Sequence, residues 1–148
     1  MATAHDIAKY FISLSNDDNG DLISNLKLQK LLYYAQGLSL AANNTPLFEE
    51  DIEAWMHGPV VPSVYQTYRV CGADAIPPPE DYDVSRIEND TRDILDEIWI
   101  VFGQFSAWKL RNMTHDEPPW KNAYDETCSK VITKESMRDY FLTQLVIQ

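Results

Sequence analysis

The chain has 148 residues, enough for one domain with its own core. Apolar residues make up 45% and charged residues 24%, a balance that excludes disordered and fibrous classes. The net charge of −11, from 23 acidic and 12 basic side chains, opposes a general role on DNA or RNA and favours encounter with a basic protein.

Cys71 and Cys128 are too few for a disulfide framework and read as reduced thiols in a cytoplasmic protein. The N-terminal residues lack the basic and apolar regions of a secretory signal. No apolar run reaches the length of a membrane span.

A first helix is expected from about Ala4 to Leu14, capped by Thr3 with Asp6 at N3. Ser15 to Asp21 is a polar turn cluster that ends it. A second helix is expected from Leu26 to about Ala42, capped by Ser24 or Asn25. Its stripe is Leu28, Leu31, Leu32, Ala35, Leu38 and Ala42, and Leu26, Tyr33, Tyr34, Leu40 and Ala41 widen it. A helix apolar most of the way round is surrounded by other elements, so this one is assigned the centre of the fold.

The alternation of Ile52, Ala54 and Met56 predicts a short strand, after which Gly58-Pro59 turns the chain. Pro62 opens a third helix carrying Val64, Tyr65 and Tyr68 and ending near Cys71-Gly72. The prolines at 77, 78 and 79 stiffen the next loop into a polyproline-like path. Residues 80 to 97 hold eight acids against Arg86 and Arg92, read either as a solvated face or as a landing site for a basic partner.

A fourth helix, from about Thr91 to Gln104, is capped by Asp90 and shows an apolar face of Ile94, Ile98, Val101 and Phe105, widened by Leu95, Trp99 and Phe102. Ser106 caps a fifth, from Ala107 to about Met113. Residues 120 to 124 form one more turn, and Val131-Ile132 pairs as a short strand. Thr133 caps a last helix through Met137, Tyr140, Phe141 and Leu145. The fold expected is mainly α: one compact helical bundle over residues 1–148 around the central helix (about 26–42), with a small two-stranded β element.

His57 and His115, with Asp116 and Glu117, could supply a base and its orienting carboxylate, or metal ligands. The chain has no H-x-x-x-H or paired C-x-x-C spacing. It also has no glycine-rich phosphate loop. Catalysis, a metal and a cofactor are therefore not expected. Trp55, Tyr65 and Tyr68 gather around Gly58-Pro59, and Tyr33 and Tyr34 follow Lys30, as either core or interface residues. Lys30 would reach solvent or pair with a carboxylate beneath it.

Ser24 to Gly37, containing KLQKLLYYAQ, resembles the central helix of the Panacea antitoxin domain, the family of SocA-like antitoxins and phage-associated GepA-like proteins. Pro46-Leu47-Phe48 with Ile52-Glu53-Ala54-Trp55, His57 to Tyr65 with its GPVVP turn, and Thr114-His115 with Pro119-Trp120 are similar to three further family motifs, in the same order. The resemblance implies a compact helical domain of bacterial or prophage origin that neutralises a toxin, usually encoded next door, by direct binding. In the SocA-like branch the domain can also act as an adaptor that delivers the toxin to a protease.

Joined to the residue reading, the resemblance makes Lys30, Tyr33, Tyr34, Trp55, His57, Tyr65 and Tyr68 the expected partner-binding residues. The preset proline torsions at 59 and 62 would hold the aromatic ones rigid. No nucleic acid, membrane or small-molecule substrate is expected. The competing functions are a phage or prophage protein that binds a host factor, and a hydrolase using His57 or His115 with Asp116 or Glu117.

Overall fold

The computed structural model describes residues 2–15, 22–80 and 82–146. Most of the expected polar turn (16 to 21) and Asp81 of the acidic stretch lie outside these residues.

Helix α1 (Ala4–Leu14) opens with a capping box, in which Thr3 and Asp6 each accept from the other's backbone N–H. Helix α2 (Asn25–Asn43) is capped by Ser24 and ends at Asn44, whose left-handed backbone closes the last turn. Fourteen of its nineteen residues are buried, which makes it the axis of the fold. Around it pack α1, α3 (Pro62–Tyr68), α4 (Asn89–Phe102), α5 (Ala107–His115) and α7 (Lys134–Val146). The short α6 (Pro118–Ala123) packs on α5 and α7. α2 packs most extensively on α7, and there an added Cβ on Gly37 would lie 2.2 Å from the Phe141 ring. Glycine lets the two backbones approach there.

The β element has three strands rather than two. β1 (Ile52–Trp55) lies between β2 (Gly58–Val60) and β3 (Lys130–Ile132), antiparallel to both. The register pairs Trp55 with Gly58, so the chain reverses at Met56-His57. Gly58-Pro59 was expected to be the turn and instead forms the edge strand. An edge tolerates a residue without an N–H. Gly58 has φ +112°, a torsion that side chains with a Cβ rarely adopt.

Two other expectations shift. α3 stops at Tyr68 and a 3-10 turn, Arg69–Cys71, completes its length. α4 is capped at Glu88, which places Asp90 inside the first turn, where a carboxylate favours the helix dipole. Its buried residues are Leu95 and Ile98, whereas Val101 is exposed. The acids of the 80–97 stretch at 88, 90, 93, 96 and 97 are exposed, as a solvated face requires. Among the described residues, no helix is long and apolar enough to cross a membrane.

Candidate functional site

The polar side chains of α2 hold together the segments that carry the motifs. Gln36 accepts from the Leu47 N–H at 2.7 Å and donates to the Phe48 carbonyl at 2.9 Å. Gln29 accepts from the Val61 N–H at 2.9 Å and donates to Asn25, which in turn donates to the Tyr65 carbonyl. Lys30 donates to the Pro59 carbonyl at 3.1 Å. Among the described residues no strand lies on the outer side of β2, where Lys30 takes the Pro59 carbonyl and Gln29 takes the N–H of Val61 just beyond the strand.

Tyr33 and Tyr34 donate to the two oxygens of Glu117, at 2.9 and 2.8 Å. Burial pushes the Glu117 carboxyl up to about 7, against the pull of the two tyrosine hydroxyls, while neighbouring Asp116 pushes it further. Burial and the Glu117 charge together raise both tyrosines well above their ordinary range.

Lys30, Tyr33 and Tyr34 are therefore buried core residues in this structure, not the surface residues expected. Lys30 follows neither expectation: it reaches no solvent, and no carboxylate pairs with it among the described residues. Burial, reinforced by the Arg111 charge, lowers its ammonium to about 7.

The other expected residues lie nearer the surface. Trp55 and Tyr65 pack edge to face with ring centres 5.1 Å apart. They wall a cavity of about 460 Å³, with His57, Arg69 and Leu26 also lining it and Lys30 beneath. Tyr68 is half-buried against the core and does not line this cavity. Its hydroxyl is raised by burial and by the Cys71 thiol.

Two exposed residues not expected at the site belong here: Met56 (61% exposed), which lines the cavity and reads in the sequence only as a strand residue, and Trp108 (57%) near His57. Arg111 sits 4.4 Å over the Trp108 ring and donates through Nε to His57 Nδ1 at 3.1 Å, so α5 and the β1–β2 turn brace each other. From below, the Trp120 indole donates to the Trp55 carbonyl at 2.7 Å. The only hint of Trp108 in the sequence is a large aromatic residue next to a lysine on a short helix.

The groups of the hydrolase reading do not assemble into a dyad. Both Glu117 oxygens are taken by tyrosines. His115 stacks on Trp120 with centres 3.8 Å apart, and its Nε2 is buried with no hydrogen-bond partner among the described residues. Burial and then the Arg111, Lys30 and His57 charges lower its pKa. Asp116 is exposed at the end of α5, and Cys71 and Cys128 are free thiols. No cluster of His, Cys, Asp or Glu among the described residues has the geometry of a metal site. A larger cavity, about 620 Å³, is walled by Arg86 with the exposed acids Glu88, Asp90 and Asp93, and contains none of the expected residues.

Residues 28–121 match the family described as "Antitoxin SocA-like, Panacea domain". The chain is 32% identical over 116 residues to Antitoxin SocA of Caulobacter vibrioides (strain NA1000 / CB15N), a match that covers 66% of this chain and 58% of that protein. It thus spans little more than half the length of this relative. No solved structure matches.

Proposed function

The chain belongs to the family of SocA-like antitoxins with a Panacea domain, and from that premise we propose that it neutralises a cognate protein toxin by binding it directly. The binding face is the ridge formed by Trp55, Met56, His57, Tyr65 and Trp108, with Tyr68 near its margin. The observation that carries this reading is the exposure of Met56 and Trp108 on a braced hairpin-helix junction. Water gains from the burial of such side chains, and their rigid mounting leaves little conformational entropy to lose on binding. The motif residues on α2 act one layer below, as the scaffold that sets the ridge.

The toxin is expected to be the product of an adjacent gene. The test is co-expression of that product with the wild type and with Trp55→Ala, Tyr65→Ala and Trp108→Ala, scored by growth and by co-purification. Folding is checked by circular dichroism. Each replacement is expected to weaken the complex by about 2 kcal/mol, roughly 30-fold. Full protection by all three folded variants would remove this face from the account.

A further inference from the structure

The cavity beside the ridge has an unusual charge for this protein. The chain carries 23 acids, yet among the described residues no Asp or Glu lines this space. Its charged or chargeable lining is Lys30, His57 and Arg69. Glu53 accepts from the Trp55 indole but does not line the cavity. Arg69 is exposed at the rim and forms no ion pair with a carboxylate among the described residues. Lys30 lies under the floor with one carbonyl for company. Ordinarily a buried ammonium is stabilised by a countercharge. Here Arg111 adds a second positive charge nearby.

We propose that this cavity is the receptor for an aspartate or glutamate side chain of a bound polypeptide, gripped by Arg69 at the rim and drawn in by the Lys30 ammonium below. The inference rests on the reading of the ridge as a binding face and adds the chemistry of one partner group. Trp55 and Tyr65 form apolar walls on the carboxylate's side, so each charge is screened less there than in open water. The lysine needs no direct contact for this, since its field crosses the floor. A side chain fits better than a chain end. Met56 lines the cavity and stays exposed, and exposed Trp108 stands near His57 on its lining, so the apolar face continues past the cavity and favours a chain that runs on. The net charge of −11 gives the arrangement selectivity: acidic segments are repelled elsewhere on the molecule and favoured here.

The test uses short peptides with both termini blocked, Leu-Glu-Leu-rich or Leu-Gln-Leu-rich, titrated into the intact protein while the indole N–H signals of Trp55 and Trp108 are followed by NMR. A third peptide has no acidic side chain and a free carboxyl terminus. The Glu peptide is expected to shift the Trp55 signal and to bind at least about ten-fold more tightly than the Gln peptide. Arg69→Gln, an exposed replacement that leaves the fold alone, should weaken the Glu peptide at least about five-fold, and Lys30→Met should weaken it as well. Equal binding of the Glu and Gln peptides, or binding indifferent to Arg69→Gln, would overturn the proposal. Preferential binding of the free-terminus peptide would overturn it in favour of a chain-end site. In the toxin assay, protection lost with Trp108→Ala but kept with Arg69→Gln removes the cavity and leaves the ridge. Protection kept with both, together with Glu-selective peptide binding, removes the ridge and leaves the cavity.

Discussion

Replacing Lys30 by methionine should make the protein more stable at neutral pH, and by an amount that pH controls. The ammonium is buried and lowered from 10.5 to about 7. Above pH 7 the folded state binds fewer protons than the unfolded chain at this position, so stability rises as pH rises from 7 toward 10.5. At about 1.4 kcal/mol per pH unit, the charge penalty near pH 7 is about 4 kcal/mol and has largely gone by pH 10. Methionine keeps the volume and deletes the charge, but it leaves the Pro59 carbonyl without its donor, at a cost of about 1–2 kcal/mol. Lys30→Met should therefore gain about 2–3 kcal/mol at pH 7 and lose that advantage by pH 9.5. The groups around the ammonium, Arg111 and His115 of α5 and His57 of the hairpin, are unchanged in the variant. Urea denaturation followed by tryptophan fluorescence from pH 6 to 9.5 measures the difference. A variant equally destabilised at every pH would refute the account of Lys30 as a charge held without a counter-ion.

Glu117 should show the opposite slope. Its carboxyl is raised to about 7, so the folded state keeps a proton that the unfolded chain releases near 4.5, and stability falls as pH rises from 4.5 to 7. Glu117→Gln should flatten that limb and be more stable than the wild type by about 2–3 kcal/mol at pH 8, read in the same denaturation series. Gln36→Ala strips partners from the Leu47 N–H and the Phe48 carbonyl, both buried, and should cost about 2–4 kcal/mol in thermal unfolding. Gly37→Val should cost at least about 3 kcal/mol, because its Cβ falls inside the Phe141 ring contact and α7 must move away. A wild-type melting temperature for Gly37→Val would show that α7 is free to shift.

Much of the frame was legible in the chain. Thr3 with Asp6, Ser24, Ser106 and Pro62 marked helix starts where the structure has them, because caps act through bonds to residues two or three positions away. The central helix was legible for a related reason: a stretch apolar on most faces has only one place in a small domain. The motif residues also identified the family before any geometry was known.

What sequence alone could not supply was direction. Lys30, Tyr33 and Tyr34 look like interface residues in the chain, yet they point inward to Pro59 and Glu117, partners 29, 84 and 83 residues away. Local patterning cannot report such a pairing, since the energy of burying a polar group depends on what another segment brings to meet it. The same holds for the sheet: β3 was legible at Val131-Ile132, whereas Gly58-Pro59 carried a turn signal and became a strand only by pairing with β1. It holds as well for Trp108 and Arg111, which become part of the ridge only when α5 meets the hairpin. Caps and hydrophobic period are short-range and were fixed by the amino-acid order. Which polar groups are satisfied inside and which aromatics remain outside was decided only when distant segments closed around α2, because burial and hydrogen bonding are properties of the assembled neighbourhood.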